Sequence, residues 1–498
     1  MGLGLLLLIS YGYFLPAPAS NEISRFSLVR SVVERGRLDI DPYAETTADV
    51  ARRGGHAFSD KAPGSAFVAV PIYAAYAPLA RALGADAPAF TRLSQLRGRP
   101  ALPGDPAVPS ADDPLYFNAA FRRAVFVCNL GTNVVAGAGL GVLFFLLLLR
   151  WGRPAPAALA ATVALSGGSL IFAYSTMFFG HVLAATALFA AFVCLDRAES
   201  GGARRGWWTV AAGLLAGLGV LIELPVALGG GLLAAFVVTA PGPARARGRA
   251  LALFAAGAVP PLLALAAYQT AAFGAPWSSG YAHLTNPTFA AGMSRGLLGV
   301  GWPQPRVLWQ LLFGRSRGLL YLAPVLGLAL VGLARGVRAR DSRRRAVTAA
   351  AIVIAFLLMN AGYYMWWGGA ALGPRHVIPA IPFLCLGFAW LFPELPASAE
   401  PSRRWREDLF IVLLAVSLCN QLAAVAVSPL APPGIDVLFT HTYGRLLRGQ
   451  IAVLPGSANW GMLLGLRGVA SLLPLLAVWG LGAALIRKTL RRAEDEPI

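Results

Sequence analysis

Apolar runs of about 17–25 residues, broken by short polar connectors, recur along most of the 498-residue chain. Each is long enough to cross a bilayer as a helix. They fall near residues 124–149, 155–174, 178–195, 207–222, 225–240, 250–271, 318–335, 346–366, 376–393, 408–428 and 466–486. The connectors alternate in character. One set is dense in arginine: RWGR (150–153), DRAESGGARR (196–205), PARARGR (243–249), RGVRARDSRRR (335–345), PSRRWRED (401–408) and RKTLRR (487–492). Such connectors stay on the cytoplasmic side. The other set then faces outward: residues 17–63, 175–181, 222–225, 276–317, 363–376 and 429–467.

The pattern predicts a single all-α polytopic membrane domain over residues 1–498, a bundle of about 12–13 transmembrane helices with a short cytoplasmic tail at 487–498. The opening MGLGLLLLISYGYFLPAPAS reads as the first membrane helix. Its Ala-Pro-Ala also fits a signal-peptide cleavage region, but the basic start of such a peptide is missing. Residues 64–82 pose a conflict. If they cross, the arginine side flips between the N-terminal and later spans; otherwise they are re-entrant or lie on the surface. Residues 84–117, proline-rich and carrying Asp86, Asp105, Asp112 and Asp113, read as an outer insert.

Composition removes one class. The chain is 57% hydrophobic and 13% charged, with a mean hydropathy of +0.63, which excludes an ordinary soluble protein. The formal net charge of +19 resides mostly in the arginine connectors. It is a topology signal, and no nucleic-acid partner is expected. The four cysteines, Cys128, Cys194, Cys385 and Cys419, are scattered through apolar runs and suggest no disulfide or metal framework.

Candidate chemistry collects on the outer face. All five histidines, His56, His181, His283, His376 and His441, fall there, and so does Glu223 at the end of a helical hairpin. Avoidance of basic loops would give the same bias, as would outward-facing chemistry. The first outer loop holds seven of the 23 acids. Its NEISRFSLVRSVVERG places Ile23, Phe26, Val29 and Val33 on one helical stripe, with Glu22 and Arg25 on another. Ser20 or Asn21 can cap this helix and Gly36 can end it, so an amphipathic juxtamembrane helix is expected along the membrane surface. RLDIDPY then reads as a turn and AETTADVARRGG as a second short helix. The chain re-enters the membrane through HAFSDKAPG (56–64). Of 42 basic residues, only Lys61 and Lys488 are lysines. An isolated Asp-Lys pair is usually an ordinary loop ion pair, but lysine's scarcity favours a role for Lys61. Glu22, Arg25, Asp60 and Lys61 can meet at one water–membrane boundary. There arginine grips phosphate with a fork, lysine acts as a point charge, and a carboxylate takes a proton.

These pieces, NEISRFSLVRSVVERGRLDID, FSDKAPGSAFVAVPIY, FFGHVLAATALFAAF, FGRSRGLLYLAP and WWGGAALGPRHVIPAIPFL, occur in order over residues 21–389. Together they resemble the GT-C glycosyltransferases. The likeness is greatest to family 39 and its bacterial relatives, which include lipid A aminoarabinose transferases and protein O-mannosyltransferases. The resemblance implies an inverting transfer of a sugar from a polyprenyl-phosphate donor to a hydroxyl acceptor on a lipid, glycan or protein. It also implies an active site facing the periplasm or exterior of a plasma (inner) membrane.

By that resemblance Glu22 is the catalytic base, and Arg25 and Lys61 contact the carrier phosphate; Arg375, following the aromatics of the loop 363–376, is a further candidate for the donor phosphate or the acceptor. Asp60 matches an acid that helps bind a divalent metal ion with a later histidine, for which His283 is a counterpart by position alone. Tyr363, Trp366, Trp367, His376, Glu223 and His181 are candidates for the acceptor site or cavity wall; the aromatics among them are equally good interfacial anchors. Arg315 and Arg317 either meet lipid head groups or anchor a helix. Departures from the family pattern leave the base open: Asn21-Glu22 stands for Asp-Glu and Lys61-Ala62-Pro63 for Lys-Pro-Pro, so Asp39 or Asp41 remain alternatives. Two other functions compete. A transporter or lipid flippase is disfavoured because no internal repeat is present. An O-antigen-ligase-like enzyme would instead use His441, Arg445 and Arg448 in the loop 429–467.

Overall fold

A computed structural model describes residues 2–92, 115–391 and 401–495. Among them, seven helices are long and apolar enough to cross a membrane: Ala119–Arg150, His181–Glu199, Arg205–Ile222, Ala244–Phe273, Arg340–Gly362, Trp405–Val427 and Gly468–Lys488. Four shorter apolar helices, Gly2–Gly12, Ala155–Ser166, Val226–Val238 and Arg375–Leu391, accompany them. The chain is a multi-pass membrane protein. Its apolar runs became helices because a helix satisfies every backbone group within the segment. The first helix is tied into the bundle: the Tyr11 hydroxyl donates to Ser166 O at 3.0 Å and Trp479 Nε1 donates to Ser10 Oγ at 2.8 Å.

Three arginine connectors converge at one end of the bundle, where Asp196 receives Arg345 at 2.6 Å and Arg150 at 3.7 Å and Glu199 pairs with Arg344. Helices Arg205–Ile222 and Ala244–Phe273 cross so closely that a Cβ on Gly213 would overlap Phe254 O, and one on Gly257 would overlap Val210 O. Neither glycine needs an unusual backbone; what each supplies is the missing side chain. Gly257→Ala is expected to force the helices apart and to lower stability by about 1–3 kcal/mol, read as a fall in the thermal midpoint in detergent.

Two helices outrun the bilayer. Ala119–Arg150 has 32 residues, about 48 Å at ~1.5 Å per residue, against a hydrocarbon core of about 30 Å. Its far part turns through a π-helical stretch, Leu130–Val134, and helps build a second core outside the main bundle. That core joins Phe121 and Val125 with Phe26 and Val29 of the first loop, Tyr73 and Ala77, and Tyr268 and Phe273 at the end of the 30-residue helix. Helix Gly64–Ala82 belongs to it. Gly64 lies against Leu221 and Ile222, Ile72 against Gly131, and Ala87 and Ala89 bond Asn118. The helix therefore runs antiparallel to the projecting end of Ala119–Arg150 and stays on the loop-rich side. Residues 64–82 are not among the helices long and apolar enough to cross a membrane, so they do not require the arginine side to flip. Strands Phe90–Arg92 and Leu115–Phe117 pair at the base of the expected insert; residues 93–114 lie outside the described set.

The first loop departs from expectation twice. Helix Ser20–Arg30 carries its apolar stripe, yet every residue from Asn21 to Arg30 is buried, so the helix is enclosed by the second core and not open along the membrane surface. Its N-cap is Ala19, not Ser20 or Asn21; Glu22 supplies the capping carboxylate. Gly36 ends the following π-turn at φ 64°, as expected. Where AETTADVARRGG suggested a helix, a 3-10 turn (Asp41–Thr46) leads into a hairpin, Val50–Arg53 with His56–Ser59. The Gly54-Gly55 link has φ 57° and 82°, the two-residue turn that matches strand twist. That dipeptide was the missed signal.

Candidate active site

Glu22 sits at the third position of its helix, so its carboxylate turns back on the helix start. Oε2 accepts the Ala19 N–H at 2.8 Å and Oε1 accepts the Phe178 N–H at 2.9 Å. The side chain thus staples the first loop to the turn of residues 175–181. It is only 2% exposed, and burial pushes its pKa up to about 7 despite the two amide bonds.

One helical turn on, Arg25 spans three elements. Its NH2 pairs with Glu223 at 2.8 Å, its Nε donates to Asn21 at 3.0 Å, and its NH1 donates to Ser65 and to Ala62 O. Ala62 and Ser65 flank the turn that carries Lys61. Glu223, at the C-cap of Arg205–Ile222, also faces His181 Nδ1 at 3.6 Å. Gly180 leaves room for this, because a Cβ there would overlap Glu223. Lys61 Nζ lies 3.0 Å from Asp60 and 3.2 Å from Asp49, with 12% of its side chain exposed. Burial opposes its charge, but Asp60 and Asp49 outweigh that and hold the ammonium above its ordinary range. Asp60 is pushed up to about 6 by burial, against the pull of Lys61.

His376 meets the His181 ring edge-on at 5.9 Å and that of Tyr363 at 5.2 Å. The Arg375 guanidinium lies 5.6 Å from the centre of the Phe179 ring. His181 is within electrostatic reach of Arg375, Arg25 and Lys61. Residues from sequence positions 22 to 376 therefore form one polar centre. Five atoms in or beside it are buried with no hydrogen-bond partner: Asp60 Oδ1, His181 Nε2, His376 Nε2, Arg375 Nε and Tyr268 Oη. Buried polar groups are nearly always satisfied, so this concentration marks a place shaped for a polar ligand or water.

The remaining expectations separate. Trp366 and Trp367 stand perpendicular, 6.0 Å apart, in the wall of a different hollow of about 950 Å³ that also touches Trp309 and Arg315. Arg317 meets no head group. It is 1% exposed and donates to four carbonyls, those of Ser316, Trp367, Gly369 and Ala431, so it anchors a chain crossing. His441 is buried with Nε2 3.1 Å from Ser428 O. His283 stacks on Phe273 at 5.3 Å and bonds Ser278 through Nε2. Among the described residues the one group of three metal-type ligands is Asp39, Asp41 and His56, and Arg35 and Arg37 already hold Asp39 there. Asp60 and His283 belong to no such group among the described residues.

Two participants escaped the sequence. Asp49 is the second partner of Lys61. Tyr281 lies within electrostatic reach of Lys61, Glu223, Asp60 and Arg25, and burial pushes its hydroxyl up to about 12. The cue for Asp49 was the hairpin, which sets Val50 opposite Ser59 and so brings the two acids together. Nothing near Tyr281 singled it out.

No family model matches the chain, and no curated protein matches it. Solved structures do. ArnT from Cupriavidus metallidurans bound to undecaprenyl phosphate is 18% identical with a TM-score of 0.51, over 98% of this chain and 71% of that one. Its apo form gives 17% and 0.50, over 98% and 70%. An Archaeoglobus fulgidus oligosaccharyltransferase gives 13% and 0.49, over 87% and 56%. At these identities the likeness is one of fold: the chain has the fold of the GT-C membrane enzymes.

Proposed function

We propose that the chain is a glycosyltransferase of the plasma (inner) membrane, moving a sugar with inversion from a polyprenyl-phosphate donor to a hydroxyl acceptor at the outer, loop-rich face. The observation that carries this is the set of buried, unpartnered polar atoms around Lys61, Arg375 and the two histidines. Two further facts support it. The fold is shared with a structure bound to undecaprenyl phosphate, and the arginine connectors face away from the site.

Glu22 takes the proton of the acceptor hydroxyl as that oxygen attacks the anomeric carbon. The bond from that carbon to the phosphate oxygen breaks on the opposite side, and the polyprenyl phosphate leaves with the electron pair. Lys61 has one ammonium N–H left after Asp60 and Asp49, and Arg375 keeps a free Nε; both stabilise the departing phosphate where charge builds up. Arg25 is spent on protein partners and holds the Lys61 turn in place. For Glu22 to reach a substrate, the Phe178 amide must release Oε1, at a cost of about 1.5–3 kcal/mol for a bond to a charged acceptor.

The test is undecaprenyl-phosphate binding by native mass spectrometry together with sugar transfer in membranes. Arg375→Ala is expected to weaken binding about 10- to 100-fold, the loss of one charge-assisted bond. Unchanged binding would remove Arg375 from the site. Lipid movement across proteoliposomes without sugar transfer would favour a flippase.

A further inference from the structure

The 950 Å³ hollow beside the polar centre is at the large end of ligand pockets, about 300–1,000 Å³. Its lining mixes aromatic faces with planar polar groups: Trp309, Trp366 and Trp367 beside Gln304, Gln310 and Arg306. Trp309 comes from helix Pro305–Phe313, whose buried side is Val307 and Leu311. This leaves Trp309 60% exposed, and its ring packs on Phe313 at 4.5 Å. The opposite wall backs onto the site already described. Gly368 lies against the Arg375 side chain, while Arg317 clamps the Trp367 carbonyl at 2.7 Å.

We infer that this hollow is a carbohydrate-binding site, separate from the polar centre where Glu22 acts. A pyranose ring offers C–H faces that stack on indole and hydroxyls that pair with amide and guanidinium edges, the combination these side chains present. A lipid tail asks for something else. The chain shows that too, in a 580 Å³ cleft lined by Leu3, Leu7, Val163, Phe172 and Trp479, where aliphatic and aromatic carbon dominates. One short segment, residues 366–375, separates the hollow from Arg375, so a glycan held here lies beside the transfer site rather than in it. The inference rests on the transfer proposed above.

The experiment is saturation-transfer NMR on the purified full chain in lipid nanodiscs, with maltotriose, mannotriose and chitotriose as probes. Undecaprenyl-phosphate binding is followed in parallel. At least one trisaccharide should receive saturation on its ring protons. That signal should fall about 3- to 10-fold in Trp309→Ala and Trp366→Ala, recover in Trp309→Phe, and leave undecaprenyl-phosphate binding unchanged. Trp309 is exposed, so its loss should not disturb folding. No saturation of any probe, or saturation indifferent to both tryptophan substitutions, overturns the saccharide site. Failure of the wild type to bind undecaprenyl phosphate overturns the donor instead and is read separately.

Discussion

Glu22→Gln is expected to reduce sugar transfer by about 10²–10⁴-fold, the usual contribution of a positioned general base. The pH profile carries the specific signature. A base acts in its ionised form, so the wild-type rate should climb as pH rises through about 7 and level off above, following the pKa of this carboxyl; the glutamine variant should lack that rise. Stability has the opposite sign. The folded carboxyl holds its proton more tightly than the ordinary value of 4.5, so its contribution favours the fold most below about pH 4.5 and declines towards about pH 7. Glu22→Gln should flatten that decline. It should also cost about 1–3 kcal/mol, because a glutamine oxygen can keep one of the two amide bonds while its NH2 faces the other amide. Near wild-type transfer in the variant would return the base to Asp39 or Asp41, both engaged by the first loop's own ion pairs.

Lys61→Ala should lose transfer at least about 100-fold and, unlike an exposed lysine, should also destabilise the protein. Removing it leaves two carboxylates facing each other with little water, Asp60 at 3% and Asp49 at 14% side-chain exposure. Stranding a buried charge in this way costs about 3–5 kcal/mol. The two losses can be separated. Adding Asp49→Asn relieves the repulsion and should restore much of the thermal midpoint without restoring transfer. Recovery of transfer in the double variant would show that Lys61 acts only by neutralising its neighbours. Lys61→Arg is not a conservative control, since a planar fork cannot occupy the point-like space between two acids.

Much of this was legible because apolar runs and arginine connectors obey the same physics over the whole chain. Lengths sufficient to span a bilayer and the side that arginine keeps placed Arg25, Lys61, His181, Glu223, Arg375 and His376 at one end, and the structure brings them together. What stayed hidden depends on direction and register. Residues 64–82 have the length of a membrane span, but their packing on Phe121 and Tyr268 could not be read from periodicity. The pair Asp49–Lys61 exists because two glycines fold a hairpin. Trp366 and Trp367 look like part of the polar centre in sequence, yet a turn at Gly368 and Gly369, with φ 69° and 70°, sends their rings to the other side of the wall. Glu22 carried the right residue type for a base, but its two amide partners lie at Ala19 and Phe178, far apart in the chain.

Arg317 has a consequence of a different kind. Its charge is matched by four carbonyl oxygens and no acid. Dipoles orient towards a charge but do not cancel it, and a guanidinium stays protonated across the accessible pH range. Enclosed as it is, it also lies beyond the reach of mobile counter-ions, which at about 0.15 M screen exposed charges over roughly 8 Å. The arginines at the opposite end of the bundle fade as salt is added. The field of Arg317 within the protein does not, so a position buried beside it keeps a standing attraction for anions at ionic strengths that silence the surface.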